Sequence, residues 1–369
     1  MKKKLFNRSF FIKAVFSVAF FSVLFSFVNG NELLAMLKNI NWLYFTLSFL
    51  LVPVMLFTST FKWKSILDVH GGNVPFMTLI RIYLVGYFFS NLFPSVVGGD
   101  VVRSFYSGKL IDNQAYSAVS VFVERFSGIL FLIILVIFAP LLQPQLYSSP
   151  YIFIPALAAF VLLVVVTWVW SVKNPLQLPD KIATAVIAFL KRGAERTGIS
   201  FLMKFTDLVS RIYAGLFRRL QKFHNELNRS VKAICKDKIL FIKLVIITIF
   251  FYVLTWTNVY VSFRAFNVHP GFLTVCALVP TIMFVGHLPV TLLGNLGFFE
   301  SVFVFYFFQI NILPAESLAM GLLLRLKMLC LGFVGYLVYL SYKYSRSSEL
   351  EQLEKFAATR EEQETGNAL

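Results

Sequence analysis

Charged residues are scarce in this sequence. They make up 14% of the 369 residues, whereas 58% are hydrophobic. A typical soluble domain carries about 25% charged residues. The apolar residues collect in runs of roughly 18 or more, long enough to cross a hydrocarbon core about 30 Å thick. This excludes a soluble enzyme with one membrane anchor and predicts an integral membrane protein that crosses the bilayer several times.

Cysteine is also rare, and the motifs of several function classes are missing. The three cysteines, Cys235, Cys276 and Cys330, are far apart and form no CxxC pair. That spacing argues against a disulfide framework or a zinc site. No cluster of His, Asp and Glu has metal-ligand spacing, and the sequence contains no nucleotide-binding loop. We therefore expect no metal, no cofactor and no ATP-driven transport by this chain alone.

Acidic residues are the scarcer of the two charge types. The chain has 34 Lys and Arg against 18 Asp and Glu, a net charge of +16. In a soluble protein this excess would suggest nucleic acid as a partner. Here it lies mostly in loops between apolar runs, which is the positive-inside bias of membrane proteins. We expect no nucleic-acid partner and a location in the bacterial cytoplasmic membrane.

The longest polar stretch, 173–238, carries fourteen basic and five acidic residues. Its charge predicts that it is cytoplasmic. Within it, apolar residues at helical spacing predict an amphipathic helix on the anionic lipid of the inner leaflet. Packing of this helix against the rest of the protein is the alternative. The apolar positions are Phe201, Phe205, Leu208, Ile212, Leu216 and Phe223.

The apolar runs outline one membrane domain over 1–344, followed by a polar cytoplasmic tail, 345–369, that we expect to be a frayed helix or disordered. Lysines at positions 2–4 place the N-terminus inside, and the first run is interpreted as an uncleaved span. The runs fall at 10–28, 41–61, 75–97, 117–142, 150–172, 239–263, 271–293, 297–313 and 316–341.

Orientation parity requires two segments to enter and leave the membrane on the same side. Lys62, Lys64 and the basic loop are all assigned to the inside, so segment 75–111 must begin and end there. By the same argument, segment 271–313 must begin and end outside. Both segments are interrupted by proline and glycine. We therefore predict two re-entrant segments, each made of two half-helices.

The two re-entrant segments belong to units that mirror each other. Each unit is a span, a broken segment and a second span, and the two units have opposite orientations. Interrupted segments at corresponding positions of an inverted repeat mark the binding site in many transporters. The predicted fold is an all-α bundle of about six full spans plus two broken re-entrant segments in an inverted repeat.

The first break holds an unusual group of polar residues. Pro94 is predicted to end the first half-helix, and Gly98 and Gly99 to allow a tight reversal. Asp100 is placed to N-cap the second half-helix, with Arg103 one turn later. Free amides at a helix start together with an arginine would bind phosphate. The alternative is that Asp100 occupies that position and pairs with Arg103.

Glu124 and Arg125 lie inside the run 117–142. Neighbours in a helix point about 100° apart, so they cannot form a side-on pair. Each is predicted to have its own partner on another helix. A salt bridge that serves only structure is the alternative to a functional role.

The second break has the same form as the first. Pro289 precedes Gly294 and Gly297, and Glu300 follows near the start of the next half-helix. Glu300 is predicted to be a cap or an acid that senses a proton or a head group. Arg325, in the last span, is its predicted partner.

Taken together, these elements resemble the transmembrane family of lysylphosphatidylglycerol synthases. The matching elements occur in the family's order over about residues 10–342. They are Gly99-Asp100-Val101-Val102-Arg103, Glu124-Arg125-Phe126-Ser127-Gly128, Leu296-Gly297-Phe298-Phe299-Glu300, and Arg325.

The resemblance implies movement of a lipid between leaflets. In the synthases of this family, a soluble C-terminal domain makes the aminoacylated lipid that the membrane part moves. After Tyr344 this sequence has only a short polar tail, so we expect no synthesis and no enzyme activity. Lysylphosphatidylglycerol is therefore not assigned as the cargo.

The leading hypothesis is a lipid flippase or scramblase for a phospholipid or a polyprenyl-linked lipid. Its arginines would contact phosphate, and its acids would pair with them when the site is empty or bind a cationic head group. The alternatives are a membrane-embedded glycosyl- or lipid-transferase, or its accessory subunit, and a secondary transporter of a small solute. A homo-oligomer is left open. The predicted substrate-binding residues are Asn91, Gly98, Gly99, Asp100, Arg103, Glu124, Arg125, Gly294, Gly297, Glu300 and Arg325, with helix breaks at Pro94 and Pro289.

Overall fold

A computed structural model describes residues 30–92, 97–171, 177–197, 200–288 and 295–366 of the protein. These residues form α-helices and short 3₁₀ turns and contain no strand. The helices are α1 (Gly30–Lys38), α2 (Trp42–Leu67), α3 (Phe76–Leu92), α4 (Val97–Leu110), α5 (Gln114–Phe138), α6 (Pro150–Ser171), α7 (Gln177–Thr197), α8 (Ser200–Lys236), α9 (Lys238–Arg264), α10 (Phe272–Gly286), α11 (Phe298–Phe308) and α12 (Pro314–Gly366).

Five helices are long and apolar enough to cross a membrane. They are α2, α5 with its 3₁₀ extension to Leu142, α6, α9 and the part of α12 up to Ser341. The predicted span at 10–28 lies outside the described residues. Large apolar side chains point outward from these helices, as Phe160 does from α6. The predicted all-α membrane bundle is confirmed.

The first broken segment is a helical hairpin. Helix α4 folds back along α3, so that Gly99 lies against Ser90 and the Gly86 carbonyl, and the Arg103 side chain covers Gly86. A single continuous helix over 75–111 is therefore ruled out and the predicted pair of half-helices is confirmed, while its entry and exit on the same side of the membrane stays a prediction. Pro94, the predicted break, lies outside the described residues.

The start of α4 differs from the prediction. Gly98 and Gly99 form part of its first turn instead of a reversal, and Asp100 also lies in that turn and is not the N-cap. The cause is close packing, since any side chain at Gly99 would collide with Ser90 and the backbone of Gly86. Small residues serve helix contact in membranes, where backbones approach closely.

The second broken segment is also a hairpin, formed by α10 and α11. Asn295 adopts a left-handed conformation with φ of 62°. Its side-chain amide donates to the carbonyls of Gly286, at 2.9 Å, and Leu288, at 2.7 Å, which joins the two half-helices. The Phe299 ring packs over Gly286. Pro289 and Gly294 lie outside the described residues.

The first spans of the two units, α2 and α9, pack antiparallel. The backbone N–H of Asn41, just before α2, donates to the carbonyl of Ala265, just after α9, at 2.8 Å. At the opposite ends of the pair, the Lys243 ammonium lies 4.6 Å from the centre of the Phe61 ring. The unit α2–α5 therefore runs in the opposite direction to the unit α9–α12.

The remaining helix contacts follow the same symmetry. Helix α3 packs along α12, and in the matching positions α10 packs along α5. Within each unit, the first span contacts the hairpin and the last span, and the second half-helix packs on the last span. Gly335 of α12 lets α3 approach closely, since any side chain there would meet the Leu84 carbonyl. This pattern confirms the predicted inverted repeat.

The polar stretch 173–238 contains two helices, α7 and α8, where one was predicted. The first half of α8 is joined to α7 by a hydrogen bond from Tyr213 to Asp180, at 2.8 Å, and by the Lys191–Asp207 ion pair, at 3.3 Å. The second half of α8 packs against α5 and α9, with the Phe223 ring 5.7 Å from that of Phe122. For this half, packing on the protein is therefore found, while lipid contact stays a prediction.

Of the two forms expected for the tail, a frayed helix or disorder, the structure shows helix, because α12 continues to Gly366. Its Glu, Leu, Ala and Lys residues have high intrinsic helix propensity, which favours continuation of a helix already begun.

Candidate functional site

Arg103 of α4 is the centre of a buried ion-pair network. One of its terminal nitrogens donates to Asp100 Oδ1 at 3.1 Å, and the other donates to Glu124 Oε2 of α5 at 3.0 Å. Arg125 Nε donates to the same Asp100 oxygen at 3.0 Å. Glu124 and Arg125 therefore each find their partner on another helix, as the helical geometry predicts.

Aromatic rings enclose the Arg103 guanidinium. Its central carbon lies 3.7 Å from the centre of the Tyr83 ring and 4.4 Å from that of Trp63. Only 1% of the Arg103 side chain is exposed, compared with 38% of Arg125. Arg125 is therefore the arginine of this network that a ligand can reach, whereas Arg103 holds the network together.

Glu300 and Arg325 form a second buried pair. Arg325 Nε of α12 donates to Glu300 Oε1 at 2.7 Å, and Glu300 is fully buried in the first turn of α11. The other Glu300 oxygen accepts the backbone N–H of Gly297 at 2.8 Å. Both predictions for Glu300, a cap and a partner for Arg325, are confirmed by these contacts.

The two ion pairs occupy matching positions in the inverted repeat. In each, an arginine donates through Nε to an acid 25 residues earlier in the chain. Each acid lies in the first turn of a second half-helix, and each arginine is the twelfth residue of the following span. At 1.5 Å per residue, the twelfth residue lies about 17 Å along its helix, near the middle of a bilayer core.

The first repeat adds a second pair to this shared plan. Arg103 and Glu124 are matched in the second repeat by Phe303 and Leu324, at the same offsets from the acid and the arginine. The phenol of Tyr83 also donates to Glu124, at 3.5 Å. The two repeats therefore share one ion pair, but only the first repeat also carries the charged residues Arg103 and Glu124.

Two buried lysines were missed by the sequence analysis. Lys327 is buried and donates to Asn258 Oδ1 at 2.6 Å and Ser262 Oγ at 2.9 Å. Lys62 was assigned to a loop flank, but α2 continues to Leu67, and Lys62 is only 5% exposed. The sequence offered one indication that Lys62 is buried, namely its neighbour Trp63, a large aromatic residue that favours a buried position.

The site residues fall into two groups, one around Arg103 and one formed by Glu300 and Arg325. Asn91, at the end of α3, links α3 to the helix that carries Arg325, because its side-chain amide donates to the Met328 carbonyl of α12 at 3.1 Å. Arg125 also acts electrostatically on His287, at the end of α10. That all six charged residues line one cavity stays a prediction. A cavity of about 540 Å³ lies elsewhere, between the loops 71–74 and 110–113 and helix α8.

The described side chains offer no metal site. Within the ranges given above, no three His, Cys, Asp or Glu residues come together as metal ligands would. The chemistry present at the breaks is that of carboxylates and guanidinium groups.

Comparison with known proteins places this chain among membrane proteins. The sequence profile of the family described as the lysylphosphatidylglycerol synthase TM region matches residues 10–335. A UPF0104 membrane protein of Methanocaldococcus jannaschii is 28% identical over 116 residues, which cover 31% of this chain and about a third, 34%, of the relative. A UPF0104 membrane protein of Methanothermobacter thermautotrophicus is 23% identical over 314 residues, which cover 81% of this chain and 83% of the relative. No solved structure matches.

Proposed function

Because the chain belongs to the lysylphosphatidylglycerol synthase transmembrane-region family, we propose that it is a lipid flippase or scramblase and not an enzyme. The lipid is a phospholipid or a polyprenyl-linked lipid, which crosses between the leaflets of the cytoplasmic membrane. In this proposal both termini and the helices α7 and α8 are cytoplasmic, and α7 and α8 contact anionic lipid of the inner leaflet.

The observation that supports this proposal is the matched pair of buried ion pairs at the two breaks. Arg125–Asp100 and Arg325–Glu300 lie midway along spans of opposite direction. Charged groups at such a depth cost about 2.5–3.5 kcal/mol each on insertion scales and mark transport pathways. A polar route at this depth suits a head group, while the acyl chains remain in the bilayer.

The test is lipid movement in liposomes that contain the purified protein and no other. Phospholipid with a fluorescent acyl chain is placed in both leaflets, and an impermeant reductant is added outside. Without lipid movement, about half of the fluorescence survives, since the inner leaflet is protected. We expect the protein to reduce the surviving fraction well below half.

Two variants sharpen this test. Arg125→Ala should slow lipid movement because it removes the exposed cation of the first break. Lys191→Ala is the control, since its pair with Asp207 is exposed and distant from the breaks. A wild-type protein that gives the same surviving fraction as empty liposomes, for every lipid tried, would refute the proposal.

A further inference from the structure

Lys62 differs from the other buried cations in having no partner. It makes no hydrogen bond and no ion pair in the described structure, although it is only 5% exposed. The charges that act on it most strongly are Glu124 and Arg125 of α5. A side chain at Gly128 would lie 3.9 Å from the Lys62 ammonium, which places that group beside α5, one turn beyond Arg125.

The charges around Lys62 do not balance. With Lys62 in its charged form, three cations, Lys62, Arg103 and Arg125, face two carboxylates, Asp100 and Glu124. Both carboxylates already accept from the arginines, so among the described side chains one positive charge is left over.

An unpaired charge away from water is costly. Removing Lys62 would leave two cations facing two carboxylates. In the absence of a bound anion, the lysine therefore adds a positive charge that no carboxylate of the network balances. A singly charged anion next to Lys62 and Arg125 would complete it, because it would separate two like charges and accept from both.

We propose that Lys62 and Arg125 together form the head-group site for a lipid with a net negative charge, carried by a phosphodiester. This inference rests on the proposed function and names the class of its substrate. A zwitterionic lipid would bring its own cation into a region that is already positive. A cationic lipid would be excluded more strongly still.

The test compares three acyl-labelled lipids in the liposome assay: phosphatidylglycerol, phosphatidylcholine and a cationic ethyl-phosphatidylcholine. We expect the rates to fall in that order. Lys62→Met should slow phosphatidylglycerol about tenfold or more, as expected for loss of a charged hydrogen bond. It should slow phosphatidylcholine less, because the choline cation of that lipid already offsets the phosphate charge. Lys64→Met is the matched control, since Lys64 lies two residues further along and pairs with Asp68 at 2.9 Å.

Thermal unfolding in detergent separates this role from a structural one. Because Lys62 leaves the empty network unbalanced, Lys62→Met should keep or raise the unfolding temperature. Short-chain phosphatidylglycerol should stabilise the wild type and not Lys62→Met. Soluble glycerol phosphate should not stabilise either protein, and equal stabilisation by it would refute a lipid as the source of the anion.

Several results would overturn the inference. A lower unfolding temperature for Lys62→Met, with both lipids slowed equally, would make Lys62 a structural counter-charge. Fastest movement of the cationic lipid would reverse the assigned charge. If no lipid moves at all, the proposed function fails, while stabilisation by phosphatidylglycerol still decides whether Lys62 belongs to an anion site.

Discussion

The buried charges are the residues on which the stability of the bundle depends most. Glu300 is fully buried, and its two oxygens accept from Arg325 and from the Gly297 backbone. The Arg325 side chain lies over the Phe299 ring, at 5.6 Å. A charged group in this position tolerates no loss of its partner, because no water replaces the lost hydrogen bond.

Arg325→Ala should therefore destabilise the protein by about 3–5 kcal/mol, the cost of leaving one buried charge unpaired. Replacing both residues, as Glu300→Leu with Arg325→Leu, should recover most of that loss because no charge remains. The measurement is thermal or denaturant unfolding of the purified protein in detergent. An Arg325→Ala protein as stable as the wild type would show that Glu300 is not held by this pair.

Sequence reasoning reached the Glu300–Arg325 pair and the need for separate partners of Glu124 and Arg125, but it did not name those two partners. Adjacent positions diverge on a helix, so Glu124 and Arg125 had to reach different partners. The burial of Lys62 could not be obtained in this way. The sequence shows where apolar residues end, but not that α2 continues inside the protein, covered there by Ser120 and Tyr116 of α5.

At the scale of elements, the hairpin α3–α4 depends on backbones that approach closely. Gly99 packs against Gly86 and Ser90, which brings Arg103 over α3 and towards Glu124. The glycine pair was predicted from sequence to reverse the chain. It instead forms part of the helix, because glycine serves both a turn and a tight helix contact, and sequence alone does not separate the two uses.

Gly99→Ala should destabilise the protein by about 1–3 kcal/mol, the usual cost of overpacking a filled contact. It should also weaken the ion pairs, since α4 must move away from α3. Gly193→Ala is the control, because nothing lies within 4 Å of the added methyl group. There the change should be neutral or stabilising by up to about 1 kcal/mol. Equal effects of the two substitutions on the unfolding temperature would contradict the close packing.

The two hairpins were predictable because proline, glycine and charge parity all agreed. The exact contents of 173–238 were not, because the apolar period that marks a membrane-surface helix also marks a helix packed on protein. Phe223 illustrates this, since the same apolar face that suits lipid packs against Phe122 of α5.

For the whole molecule, the opposite directions of the two repeats fix which loops share a side. The loop after α5 meets the first turn of α10, as shown by the hydrogen bond from Gln143 to Thr274 at 2.7 Å. Helices α7 and α8 lie at the other end of the bundle, with α8 packed near the start of α9. This arrangement leads to a labelling experiment.

An impermeant maleimide added to intact cells should label single cysteines in 143–149 and 264–270, because both loops are assigned to the outside. Cys235, which is exposed in α8, should react only after the membrane is permeabilised. Cys276 and Cys330 are replaced by serine to keep the signal specific. Labelling of Cys235 in intact cells would reverse the assigned sides and the cytoplasmic termini with them.

The antiparallel packing of α2 on α9 has a consequence for kinetics. A two-fold axis in the membrane plane exchanges the leaflets, so a carrier built from two identical repeats would show lipid the same barriers from either face. The Arg103–Glu124 pair belongs to one repeat only, and it therefore breaks this equality. The maximal rate and the half-saturating lipid concentration measured from opposite leaflets should therefore differ, whereas their ratio stays equal because the final distribution of a passively moved lipid is unchanged.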